Sequence, residues 1–164
     1  MMRGRYEHAP PMRSEAAKRS MQLSDADLRW AGIAIFKQAH RLFRERRYPT
    51  KLMAAYMRKG PTLEGMPAKA WRLEQLEGAD AVLTVFANIF QGFLSAYRDT
   101  PFQHRIDEPV PAAVLERLLR LPNFRSAYEE DGLRAEQFCS HPALVATAAA
   151  FTEAMVRIES GAWR

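Results

Sequence analysis

The sequence predicts an α/β fold, mostly helical with two adjacent parallel strands, and three observations point to it. Leu52 to Met57 is an apolar run that ends against Arg58, Ala81 to Phe86 is a second such run, and strongly helical stretches precede, separate and follow the two. Helix, strand, helix, strand, helix is the order of a parallel sheet, because parallel neighbours need a crossover that returns the chain to the same edge. Ligands of such sheets gather beyond the carboxyl ends of the strands, which is where Arg58 falls.

Residues 1–22 are polar and basic, are broken by Pro10 and Pro11, and lack a sustained apolar period, so they predict a mobile tail ahead of a folded part at 23–164. The first helix starts at a marked position. Ser24 and Asp27 have capping-box spacing, and Leu23 with Leu28 would form the hydrophobic staple around it. Leu28, Ile35, Phe36, Ala39, Leu42 and Phe43 then recur at helical spacing, with Lys37, Arg41, Arg44 and Glu45 on the other side. Tyr48-Pro49 disfavours helix, so the end is expected near Arg47.

The first strand lacks an alternating polar face, and both of its faces are expected to be buried. Lys59 to Pro67, with two glycines and two prolines, reads as a loop at the carboxyl end of that strand. Helix is expected from Ala68 to Glu77, stopping at Gly78 before the second strand, and again from Asn88 to Tyr97. Beyond an irregular stretch from Pro101 to Pro111, helices are expected over Ala112 to Leu121, Arg134 to Phe138 and Ala143 to Ile158, with a turn at Phe124 to Tyr128. The chain carries no internal repeat and no low-complexity tract.

A chain of 164 residues that is 48% apolar suits one globular domain. The formal charge of +5 favours anions without naming one, and much of it sits in Arg3, Arg5, Arg13, Lys18 and Arg19. Cys139 is the single cysteine, which excludes an intrachain disulfide and fits a reducing, cytoplasmic compartment. The start has no apolar signal core. The most apolar helix, interrupted by Glu153 and Arg157, is too short to span a bilayer, so no membrane association is expected.

Arg58 is the sharpest functional candidate, since a guanidinium at a strand end can make paired, charge-assisted hydrogen bonds to a phosphate; the alternative is an arginine in a surface salt bridge. No lysine is a convincing nucleophile: Lys51 lies at the amino end of its strand, while Lys18, Lys37 and Lys69 fall in the tail or on helices. His8, His40, His104 and His141 show no metal-ligand spacing and are expected at the surface. No metal or cofactor is expected. The cluster Arg41, Arg44, Arg46, Arg47 and Lys51 lacks the interleaved aromatic residues that stack bases, which argues for a solvated helix face rather than a nucleic-acid site. Met53, Met57, Met66 and Trp71 read as core and loop packing, and Cys139 as an inert buried thiol.

The stretch from Leu23 to Tyr97 resembles the C-terminal part of transaldolases, which are (β/α)8 TIM barrels acting on sugar phosphates. Three passages carry the resemblance: Ala31 to Tyr48 before the strand, Leu52-Met-Ala-Ala-Tyr-Met-Arg58 as the strand, and Leu76 to Val85 leading into the next. Ile106 to Pro111, Phe124 to Gly132 and the final helix also look like the tail of bacterial members. The resemblance implies that the strands are the seventh and eighth of a barrel and that Arg58 holds the substrate phosphate, with Tyr56 where members commonly carry a phosphate-touching serine. The loop from Lys59 to Lys69 looks longer than in well-known members.

The resemblance also implies an absence. Family members hold the Schiff-base lysine on the fourth strand, a region this chain lacks, so transfer of a dihydroxyacetone unit is not expected from the chain alone. The expected partners are a sugar phosphate once the barrel is complete, and the missing strands from an upstream segment or another chain. The alternative is a non-catalytic helical binding module that uses its basic tail on an anionic partner.

Overall fold

The computed structural model of the chain describes residues 22–57, 71–85 and 87–161; the expected tail, Arg58 with the loop after it, and Phe86 lie outside them. The elements are α1 (Asp25–Glu45), β1 (Leu52–Met57), α2 (Trp71–Glu74), β2 (Ala81–Val85), α3 (Ala87–Tyr97), α4 (Ala112–Leu119), α5 (Pro122–Tyr128), α6 (Ala135–Phe138) and α7 (Pro142–Glu159). They form two compact units, one of residues up to 32 with those from 111 onward, the other of residues 33–110. The boundary falls within α1.

In the first unit, the capping box expected at the start of α1 is present. The Asp27 backbone N–H donates to Ser24 Oγ at 3.1 Å, while the Ser24 N–H and hydroxyl both donate to Asp27 Oδ2 at 2.8 Å. Asp27 also accepts two bonds from Arg117 of α4, from Nη2 at 2.7 Å and from Nε at 3.2 Å. One buried carboxylate thus caps α1 and tethers α4, and the fork geometry of the guanidinium makes the tether directional. Leu23, Leu28, Ala31, Leu118, Leu121 and Phe124 are the buried apolar residues here. The turn expected at Phe124 to Tyr128 is the helix α5, started by Pro122, whose fixed φ suits a first helical position. Gly132 is required by close approach: a Cβ there would lie 2.3 Å from the Ser126 carbonyl oxygen.

Two expectations fail in this unit. His141 is buried rather than superficial, with Nε2 3.0 Å from the Asn123 carbonyl oxygen. Cys139 is exposed rather than buried, because it ends a four-residue helix with no buried residue, which cannot sink a thiol.

In the second unit β1 and β2 pair in parallel, Leu52 opposite Ala81, Met53 opposite Val82, Ala54 opposite Leu83 and Met57 opposite Val85. Ala55 and Tyr56 together oppose Thr84, a bulge that locally kinks the strand one residue before its end. The helix expected over 68–77 is described only as α2, continuing in turns to Gly78, where φ of +84° ends it in the left-handed conformation that glycine tolerates. Ile33, Ala34, Ala54, Trp71, Leu73, Leu76 and Ile106 make the apolar core. Burial of both faces of β1 is not observed: Ala54 is buried, but Met53 is 57% exposed, and across the pair Val82 and Leu83 are exposed too. The physical reason is the width of the sheet. A single neighbouring strand leaves this apolar surface uncovered among the described residues.

Asp27→Ala should lower stability by about 1–3 kcal/mol, the loss of a cap plus a stranded partner, read as a shift in the urea midpoint. Burial pushes the Asp27 carboxyl up, but the bonds from Arg117 and Ser24 outweigh it and hold the pKa below its ordinary value. The contribution is therefore present above about pH 4 and lost as pH falls through the depressed native pKa. The variant should show a shallower acid limb than the wild type.

Candidate functional site

The carboxyl edge of the parallel pair is where the sequence places its site. Met57 and Val85 are register partners, so the two strands end level. Tyr56 sits in the bulge of β1, with only its backbone position described, and Arg58 lies outside the described residues.

The opposite, amino edge carries a cleft of about 280 Å³, lined by His40, Phe43, Arg44, Arg47, Tyr48, Pro49, Thr50, Lys51, Leu52 and Asp80. All of these belong to the second unit. The end of α1 builds one wall. The Arg47 N–H donates to the Arg44 carbonyl at 3.2 Å, the Tyr48 N–H donates to the Phe43 carbonyl at 3.0 Å, and Arg47 has φ of +53°. That pair of bonds around a left-handed residue is a Schellman motif, and the apolar contact that accompanies it is the Phe43–Tyr48 edge-on ring pair, 5.3 Å between centroids. The left-handed position usually belongs to glycine; here an arginine occupies it at a conformational cost of about 1–2 kcal/mol.

The floor is polar and buried. His40 is only 4% exposed, and its Nε2 accepts the Asp80 backbone N–H at 3.1 Å, which fixes Nε2 as the unprotonated ring nitrogen. Burial lowers the His40 pKa and nearby Arg44 lowers it further, against weaker upward pulls from Asp107 and Asp80. One turn earlier Lys37 is buried too, and its Nζ donates to the backbone carbonyls of Arg105 and, at 2.9 Å, Glu108. Burial pushes the Lys37 ammonium below its ordinary pKa, opposed by Glu108 and Asp107. Arg44 pairs with Asp107 at 2.8 Å, and Lys51 pairs with Asp80, whose carboxyl the lysine holds low.

These placements correct several expectations. Lys37 and His40 lie inside rather than on the solvated face of α1, because backbone groups satisfy them and make their burial tolerable. Ile33, Lys37 and His40 share one face at spacings of four and three, and all three are buried, so that face of α1 turns inward. Met53 is exposed rather than packed in the core, whereas Trp71 is buried as expected. Arg41, Arg44, Arg46, Arg47 and Lys51 are exposed, but they do not form one helix face: α1 ends at Glu45, so only Arg41 and Arg44 lie on it. Among the described residues no group of three or more His, Cys, Asp or Glu could hold a metal ion, and no helix is long and apolar enough to cross a membrane.

Comparison of the chain with protein-family models, curated proteins and solved structures returns no match.

Between its depressed native pKa and the ordinary value of about 6.5, His40 binds more protons in the unfolded chain than in the folded one. Stability should therefore fall as pH drops below about 6.5. His40→Gln, which keeps an acceptor for the Asp80 N–H without titrating, should flatten the dependence of the urea midpoint between about pH 5 and about pH 7.

Proposed function

We propose that this chain is the closing part of a transaldolase-like (β/α)8 barrel, its seventh and eighth strands with the helices that follow, holding a substrate phosphate at Arg58 beside Tyr56. The complete barrel would move a dihydroxyacetone unit between sugar phosphates through a Schiff base, and this chain would supply the phosphate contact but not the reactive amine. The observation that carries the reading is the parallel pair β1–β2, whose ends are level at the edge where Arg58 follows, and whose Met53, Val82 and Leu83 stand exposed. A parallel pair with uncovered apolar side chains is incomplete by the ordinary logic of such sheets, which bury both faces and close their edges against further strands or helices.

The described lysines support the assignment of roles. A Schiff-base lysine needs a free, desolvated amine. Lys37 is desolvated, yet its Nζ is held by two carbonyls; Lys51 is paired with Asp80 at the amino edge of the strands.

The test uses the chain with a purified piece of a transaldolase barrel containing the first six strands. Mixing should raise amide-exchange protection across residues 52–57 and 81–85. Borohydride with fructose 6-phosphate should then trap an adduct on the added piece only in the mixture, and Arg58→Ala should reduce the trapping at least tenfold, about the value of one charged hydrogen bond. An adduct on the isolated chain, or no gain in protection on mixing, overturns the reading. The second of these outcomes, with a cooperative melt of the isolated chain, would favour the non-catalytic helical binding module.

A further inference from the structure

The amino-edge cleft is not part of the proposed barrel site, which lies at the other end of the same two strands. Its lining brings Arg44, Arg47 and Lys51 to one concave surface that holds a single carboxylate, Asp80. Two of the cations are already matched, Arg44 by Asp107 and Lys51 by Asp80. Among the described residues no carboxylate pairs with Arg47, which stands in the cleft wall with its charge unanswered.

The backbone adds an independent reason to look at Arg47. At the left-handed position of a Schellman motif, glycine terminates the helix with less strain, and every hydrogen bond of the motif here is a backbone bond that glycine would keep. The arginine side chain makes neither of the turn's two hydrogen bonds. What it does contribute is a five-donor fork set beside a lysine ammonium and the residues Tyr48 and Thr50, whose side chains carry hydroxyl donors. An observed backbone outlier that delivers a charged side chain into a cleft is the pattern in which strain serves binding.

We propose that this cleft binds the phosphate group of a small phosphorylated molecule, with Arg47 as its principal ligand and Lys51 as a second charge. A tetrahedral anion suits the set: the guanidinium takes two oxygens in its plane, and the ammonium acts on the rest as a point charge. The volume of about 280 Å³ exceeds that of a bare phosphate and leaves room for a small organic moiety. A nucleic-acid strand would instead need a long charged track with stacking platforms.

The experiment is calorimetric titration of the full chain with inorganic phosphate and with glycerol 3-phosphate, the first reading the anion alone and the second the room beside it. Arg47→Gly should bind either probe on the order of tenfold or more weakly while melting at a higher temperature than the wild type, a pairing of effects that a purely structural arginine does not give. Arg47→Lys should keep the charge, lose the fork and fall between. Arg41→Ala, which removes a cation of α1 from outside the cleft lining, should leave phosphate binding unchanged. The proposal is overturned if neither probe binds, if Arg47→Gly binds as the wild type does, if Arg58→Ala and not Arg47→Gly abolishes binding, or if a single-stranded oligonucleotide binds more tightly than both probes. The Arg58 outcome leaves the barrel reading to its own test, so the two fail separately.

Discussion

The second unit depends on two buried polar side chains one turn apart on α1. His40 accepts the backbone N–H of Asp80, the residue before β2, and Lys37 clamps the carbonyls of Arg105 and Glu108 on the far loop. Each bond ends on the main chain, so each places a segment rather than a side chain. Ile106 is buried between the two clamped carbonyls in sequence, and its N–H donates to the Glu77 carbonyl at 2.9 Å, which brings the turn after α2 into the same arrangement. Hydrophobic burial is non-directional and would tolerate several placements of α1 on this core. Buried polar groups tolerate few, because each must find its partner or bear its full desolvation.

The first unit uses the same device with opposite charge. Asp27 is almost fully enclosed, yet it receives bonds from Ser24 and Arg117 that more than offset the penalty of burial on its carboxylate. An acid at a helix start also meets the positive end of the helix dipole, so cap and tether act in the same sense. In both units, therefore, a titratable group on α1 fixes where a distant segment lies, through bonds that hold only in one protonation state.

How much of this the sequence discloses follows from the range of the forces involved. The helix start at Ser24 and Asp27, the stop at Gly78 and both strands are local matters of capping, left-handed turns and apolar runs, and they are legible from neighbouring residues alone. The buried face of α1 was less so. A hydrophobicity pattern counts Lys37 and His40 as solvated, whereas their burial depends on carbonyl and amide partners 40 or more positions away, at Asp80, Arg105 and Glu108. Met53, Val82 and Leu83 fail in the reverse direction: their composition asks for burial, and two strands by themselves supply too little surface to give it. The cleft was hidden for a third reason, since a basic run at a helix end looks alike whether solvated or wrapped round a turn, and only φ at Arg47 separates the two.

The chemistry of His40 sets a limit on the cleft that Arg47 serves. Burial is the main cause of the low His40 pKa and Arg44 adds to it; an anion placed in the cleft would offset the Arg44 part, and by linkage would favour a proton on the ring. Yet a protonated imidazole has no lone pair for the Asp80 N–H, so the added charge would cost the bond that anchors the start of β2. The imidazole thus has more value to the fold as a neutral acceptor than to an anion as a third cation. Charge recognition at this edge falls to the groups whose charge does not depend on the anchor, Arg47 first among them, and the histidine's part is to hold Asp80, and with it Lys51, in place.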